Sequence, residues 1–264
     1  MERLILIETS TALCSVALAE EGVITAYKES AAPKAHASLT AVFIQEMLNE
    51  RGLTLADCDA VCVSKGPGSY TGLRVGVSTA KGLCFGSGKP LIAVGTLDTL
   101  VAQSLSSAEA STLGYNPLRG STFASASAED NVGYRFIIPM IDARRMEVYA
   151  AVFGAPATDA IQTEPAVSQT YTQLTETAPA IIDETSFAEY LEHGPCLFIG
   201  DGAGKCADVI THPNAHFVQC QPKASSMLAP AMEAYKEKRF EDVAYFEPFY
   251  LKEFVATVSK KKLF

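Results

Sequence analysis

The residues best placed to do chemistry are Gly66-Pro67-Gly68-Ser69-Tyr70-Thr71-Gly72, between the apolar run 60–64 and a helical pattern. Pro67 fixes φ, Gly68 permits a turn that other residues resist, and Ser69 or Thr71 can cap the helix. A strand, a glycine loop and a helix in this order aim backbone N–H groups at whatever lies above the sheet, which suits an anion. The loop has neither the Gly-Lys-Ser/Thr of a Walker A motif nor a dinucleotide fingerprint. Two readings stay open: a structural turn, or a phosphate or partner contact through Gly66, Gly68, Ser69 and Thr71. The turn Ile7-Glu8-Thr9-Ser10-Thr11 adds the hydroxyls of Thr9 and Ser10 as further phosphate contacts, or as ordinary turn chemistry. Gly200-Asp201-Gly202-Ala203-Gly204-Lys205 is another glycine turn where a nucleotide could rest, without a specific spacing.

Other chemistries lack their residues. His36 stands alone, because Thr40 occupies the position one helical turn on. His212 and His216 are separated by Pro213, and no Cys, Asp or Glu nearby completes a metal site. No Gly-x-Ser-x-Gly marks a serine nucleophile. Arg144 and Arg145 at a hairpin tip could bind an anion, though ion pairs with Asp142 or Glu147 are the expectation. No catalytic residue and no metal ligand is assigned.

The elements that must position these residues follow from periodicity. Runs at 4–8, 13–19 and 22–29 predict three strands opening a sheet, with Glu21-Gly22 as a tight turn. Residues 38–51 carry a helical stripe of Leu39, Val42, Phe43 and Met47, widened by Ile44 and Leu48. So wide an apolar arc predicts cover from more than one side. A strand at 59–64, a helix at 70–86, a strand at 91–94 and a helix at 96–106 follow, so the fold is α/β with a largely parallel sheet. Residues 104–131 are rich in Ser, Ala, Thr and Gly and read as a linker. Beyond them come strands at 134–141 and 146–153, a helix near 184–192, a strand at 196–199, a helix after the second glycine turn, and a last helix at about 225–239. There is no internal sequence repeat, but each half offers strands and then a strand–glycine turn–helix unit.

Helix 70–86 contains Gly72, Gly76 and Gly82, each costing about 1 kcal/mol against Ala. Gly72 and Gly76 share a face, and small residues at that spacing let two backbones approach closely. The approach is either to this chain's own elements or to another protein.

Composition bounds the class. The chain has 264 residues, 30 acidic and 21 basic, for a net charge of -9. Its 48 % apolar and 19 % charged content excludes a disordered chain. An acidic chain without clustered Lys and Arg is not expected to grip nucleic acid by itself. The basic run Lys260, Lys261 and Lys262 reads as a solvated terminus. The 7 cysteines have no paired spacing, which fits a reducing compartment. No apolar stretch reaches the roughly 18 residues of a membrane span, and the start lacks a signal-peptide cleavage region. The expected location is the cytoplasm.

Four segments, in order, resemble the bacterial TsaB family (also called YeaZ), a subunit of the tRNA threonylcarbamoyladenosine system. They are Ile7-Glu8-Thr9-Ser10, Gly66-Pro67-Gly68-Ser69-Tyr70-Thr71-Gly72-Leu73-Arg74, Asp142-Ala143-Arg144-Arg145-Met146-Glu147-Val148-Tyr149 and Pro248-Phe249-Tyr250-Leu251. The resemblance implies an actin/hexokinase/Hsp70-like (ASKHA) fold of two domains with mixed sheets, the second reduced. The division expected is 1–104 for the first domain and 105–224 for the second, with an insertion at about 104–131 and the helix at about 225–240 packing back on the first.

In that family's catalytic paralogue, TsaD, a His-x-x-x-His pair holds a metal. Here Thr40 replaces the second His, so the resemblance implies a non-catalytic dimerisation and scaffold subunit. It would bind and activate a TsaD-type threonylcarbamoyltransferase that forms N6-threonylcarbamoyladenosine at position 37 of tRNA. The implied partners are that subunit, a TsaE-type ATPase, tRNA through the complex, and a second copy when alone. This chain alone would hold no cofactor, with ATP or ADP at the complex interface. The expected partner face is Leu39, Val42, Phe43, Met47, Gly72, Leu73, Gly76 and Ala80. Replacing Gly76 with Leu is expected to abolish the heterodimer and leave a folded monomer. Two other readings compete: a small-molecule kinase or ATPase, which needs an acidic base and a nucleotide pocket, and a metallopeptidase, which needs the absent His pair.

Overall fold

Leu4, Ile5, Leu6 and Ile7 are all fully buried, because their strand lies in the middle of a sheet covered on both faces. The computed structural model describes residues 2–106, 133–155 and 171–252. Strands β1 (Arg3–Glu8), β2 (Cys14–Glu20) and β3 (Val23–Ser30) form an antiparallel meander. Helix α1 (Ala35–Glu50) crosses to β4 (Ala60–Gly66), parallel to β1, and helix α2 (Tyr70–Ser87) crosses to β5 (Leu91–Gly95). Parallel pairs require such crossovers. The order is β3-β2-β1-β4-β5. Helix α3 (Thr96–Leu105) then leaves this sheet.

A second sheet repeats the plan. Its strands are β6 (Phe136–Asp142), β7 (Glu147–Ala150), β8 (Phe153–Gly154), β9 (Thr172–Gln173) and β10 (Ala178–Ile181), then β11 (Cys196–Gly200) and β12 (Ala215–Gln219). Helix α4 (Ala188–Leu191) precedes β11, and helix α5 (Ala203–Cys206) follows it. The order is β10-β7-β6-β11-β12, with β8 and β9 attached at β6. Pair by pair the orientations match the first sheet: antiparallel, antiparallel, parallel, parallel. The topology is duplicated although the sequence shows no repeat.

The two lobes exchange helices. Leu97, Leu100 and Val101 of α3 pack with Ile137, Ile141, Leu197 and Ile199 of the second sheet. Met227, from the 3-10 turn Ala224–Met227, packs with Ala231 and Ala234 of α6 (Leu228–Lys236) against Leu4, Leu6, Ala17 and Ile92 of the first. The opposite face of the first sheet is covered by Ile44, Met47, Leu48, Val77, Ala80 and Cys84 from α1 and α2.

Several boundaries differ from the expectation. The helix near 184–192 is only the single turn α4, preceded by Phe187 in the left-handed region at φ 63°. Strand β12 carries His216, while His212 precedes it. The last helix divides into the 3-10 turn and α6. The Ser/Ala-rich linker, from residue 107 on, lies outside the described residues, as do Lys260, Lys261 and Lys262. No helix among the described residues is long and apolar enough to cross a membrane.

Candidate functional site

Three of the four motif segments, scattered through the sequence, meet at the carboxyl ends of β1 and β4, and the hairpin motif is linked to them through Lys252. The Ser69 N–H donates to the Ser10 carbonyl at 2.6 Å, seating the glycine loop on the β1–β2 turn. Only glycine fits there: a Cβ on Gly68 would lie 2.3 Å from the Ser10 carbonyl oxygen. The Gly66–Pro67 bond is cis, and Gly66 sits at φ 107°. The C-terminal motif closes over the same loop. The Phe249 N–H donates to the Lys65 carbonyl at 2.7 Å, and the Tyr250 ring lies 4.9 Å from that of Tyr70. The Arg74 guanidinium also lies over the Tyr70 ring, 4.7 Å from its centroid. Lys252 then pairs with Glu147 of the hairpin motif and lies 5.8 Å from the ring of Tyr149.

For the first turn this packing favours ordinary turn chemistry, the other alternative, over phosphate contact. Thr9 and Ser10 are fully buried beneath the loop. Of the loop residues, Ser69 and Thr71 are exposed. Ser69 already caps α2, its Oγ accepting from the Gly72 N–H at 3.3 Å. The loop satisfies its turn and its helix, the structural alternative.

Glu8, which the sequence reading passed over, is the electrostatic centre of the turn. Its Oε1 accepts from the Ser10 N–H at 2.6 Å and from Ser64 Oγ at 2.9 Å. Its Oε2, with Thr9 Oγ1, Ser10 Oγ and Thr11 Oγ1, is buried without a hydrogen-bond partner among the described residues. Burial pushes the Glu8 carboxyl up to about 6, against the pull of those hydrogen bonds. His36 is tied to the same turn, its Nε2 2.9 Å from the Thr11 carbonyl. Thr40 Oγ1 donates back to the His36 carbonyl at 2.6 Å and contacts Cys14 Sγ at 3.3 Å. Among the described residues no group of three or more His, Cys, Asp or Glu could hold a metal ion. His212 instead accepts from the Asn214 N–H at 3.1 Å, while His216 packs edge-on against Tyr134.

The expected partner face also needs correction. Met47, Leu73 and Ala80 are buried in this chain's own core. Gly72 and Gly76 face inward too: a Cβ on Gly72 would lie 2.1 Å from the Thr9 carbonyl oxygen, and one on Gly76 2.2 Å from Thr9 Oγ1. These glycines let α2 lie on the buried turn, so Gly76→Leu attacks the monomer itself. Leu39 and Phe43 are half-buried, and Val42 is exposed. The outward stripe of α2 is Arg74, Ser78, Gly82 and Phe85, at helical spacing. Phe85 is 87 % exposed, and Gly82 and Gly86 have open space where a Cβ would go.

In the second lobe the hairpin tip carries Arg144 and Arg145 with φ of 72° and 50°. The ion pairs expected of them are made by other residues. Asp142 pairs with Lys205 at 2.7 Å, and Glu147 with Lys252. Lys205 also donates to the carbonyls of Arg145 and Glu147 at 2.7 and 2.6 Å. Asp201 accepts from the Asp142 N–H at 2.9 Å, and burial pushes its carboxyl up to about 6. Between the lobes lies a cleft of about 420 Å³, lined by Lys65, Pro67, Leu97, Asp98, Glu176 and Phe249 among others.

Comparison with known proteins gives a consistent set of relatives. Residues 28–119 match the TsaD family, described as tRNA N6-adenosine threonylcarbamoyltransferase. The tRNA threonylcarbamoyladenosine biosynthesis protein TsaB of Escherichia coli K12 is 27 % identical over 262 residues, covering 96 % of each chain. The Haemophilus influenzae protein of the same name is 36 % identical over 146 residues, 55 % of this chain and 51 % of that one. YeaZ from Pseudomonas aeruginosa, 23 % identical, superposes with a TM-score of 0.72 over 95 % of this chain and all of that one, so the fold is shared. The resemblance to the TsaB/YeaZ family carried by the four motifs thus extends along the chain.

Proposed function

We propose, from this likeness to the TsaB/YeaZ family along its length, that the chain serves tRNA threonylcarbamoyladenosine formation as a non-catalytic subunit. It binds a TsaD-type threonylcarbamoyltransferase and holds it competent, in concert with a TsaE-type ATPase. tRNA is met through the complex. ATP or ADP binds at the interface with the partner and not to this chain alone. The two lobes are those of the actin/hexokinase/Hsp70 class, a reading supported by the duplicated strand order. The second is reduced, its crossover helices α4 and α5 having 4 residues each where α1 and α2 have 16 and 18. The division at residue 104 follows the chain, while packing carries α3 into the second lobe and α6 back to the first.

The observation that carries the reading is the environment of His36. Its ring is tied to a backbone carbonyl and Thr40 stands one turn on, so the two-imidazole donor set of a TsaD-type centre is not assembled there. Partner binding falls to the outward stripe of α2 that ends in Phe85. Depletion of the protein is expected to remove threonylcarbamoyladenosine from tRNA, read by nucleoside mass spectrometry. Wild-type chain restores it, whereas Phe85→Glu folds, fails to co-purify with the TsaD-type subunit and does not restore it. Modification by the purified chain alone, or full restoration by Phe85→Glu, would overturn the respective halves of the reading.

A further inference from the structure

The interlobe cleft is a second feature, and the partner reading does not use it. It lies beyond the carboxyl ends of the parallel strands β4 and β5, where open α/β sheets place ligands. Its volume of about 420 Å³ is that of a small-molecule site. Lys65 and Pro67 line one side, Leu97 and Asp98 from the first turns of α3 the next, and Glu176 and Thr177 of the second lobe the opposite wall. Phe249, held by its N–H to the Lys65 carbonyl, adds an aromatic edge.

The charges in this ring are not paired off. The half-buried Lys65 ammonium has no hydrogen bond or ion pair among the described residues. Asp98 folds back on Gly95, where a Cβ would lie 2.2 Å from its Oδ2. Burial raises its carboxyl from the ordinary range, while Lys65 pulls it down. Glu176 is exposed on the far wall. One ammonium against two carboxylates leaves the ring one charge negative, which disfavours a polyphosphate. A ligand bearing one carboxylate and one ammonium complements it, with its hydrocarbon part against Leu97, Pro67 and Phe249.

We propose that this cleft binds a small zwitterion, an α-amino acid, with its carboxylate on Lys65, its ammonium toward Asp98 and Glu176, and its side chain on the apolar wall. The test uses the full chain and leucine as probe, followed by calorimetry and by the amide NMR signals of Gln173 and Thr177. Leucine at about 10 mM is expected to shift both signals. Leucine methyl ester, which lacks the carboxylate, and 4-methylpentanoate, which lacks the ammonium, are expected to shift neither. Lys65→Met and Glu176→Gln, each melting like wild type, are expected to weaken leucine binding about tenfold or more, the loss of one charge-assisted contact. Silence toward leucine, equal response to the two truncated probes, or unchanged affinity in both variants would overturn the proposal. ADP moving the same signals in the lone chain would overturn it in favour of a nucleotide site.

Discussion

The two lobes share one strand plan, and in each a glycine segment presses on the turn after the first strand, yet the two turns are finished differently. In the first lobe the turn after β1 buries Glu8, Thr9, Ser10 and Thr11 under α2 and leaves four of their oxygen atoms without a partner among the described residues. In the second, the turn after β6 is closed by charge: Lys205 joins Asp142 to two carbonyls, and Gln219 donates to the Asp201 carbonyl at 2.9 Å. Both turns are met by glycine at close range, a Cβ on Gly200 lying 2.1 Å from the Met140 carbonyl oxygen, but the second is tied by a lysine hub as well. The difference matches helix length. A long α2 presses Gly72 and Gly76 onto its turn along a helical face, whereas beside the one-turn α5 the contact is made at Gly200 and Gly202 and a lysine reaches across.

The strongest way to break this contrast is to add bulk under α2. Gly76→Leu must displace Thr9 inside the core, and overpacking here is expected to cost more than about 3 kcal/mol, read as loss of soluble folded protein or of the urea midpoint. Lys205→Met strips the second hub of its donor and is expected to cost about 2–3 kcal/mol in the same assay, without touching the first lobe. Glu8→Gln tests the buried carboxylate. Its folded pKa, raised from 4.5 to about 6, means the native state holds the proton more tightly. Stability therefore falls as pH rises through that window, by about 2 kcal/mol from Glu8. Asp201 contributes in the same direction, rising from 3.8 to about 6. Glu8→Gln should remove the Glu8 share of the slope and Asp201→Asn the other, measured as melting temperature between pH 4 and 7. The smallest effect is Gly82→Ala on the open face of α2, expected to stabilise by up to about 1 kcal/mol.

The first lobe was legible because its signals are local. Continuous apolar runs and a 3.6-residue stripe placed β1 to α3 within a few residues, and the glycine loop was found between them. What remained hidden was direction. Gly72 and Gly76 share a face, but nothing in their spacing says that Thr9, some sixty residues earlier, fills it. The second lobe offered weaker patterns. Strand β12 runs through His216 and Phe217 with mostly half-buried positions, so neither alternation nor an apolar run announced it. Strands β9 and β10 are largely exposed and carry no periodic signal. The Lys205 hub was invisible because two of its three partners are carbonyls, which every residue has. Glu8 read as the end of a strand; its isolation appears only once Ser64 and the glycine loop are folded over it.

The reciprocal exchange of α3 and α6 bears on how the protein is made. During synthesis the amino-terminal sheet emerges complete in its strands but bare on the side of Leu4, Leu6 and Ile92, and its cover comes from residues near the opposite end of the polypeptide. The first lobe cannot finish folding until Met227 and α6 leave the ribosome, whereas the second lobe finds α3 already outside. Nascent chains halted between the two lobes are therefore expected to display an uncovered hydrophobic sheet until the final helix is delivered.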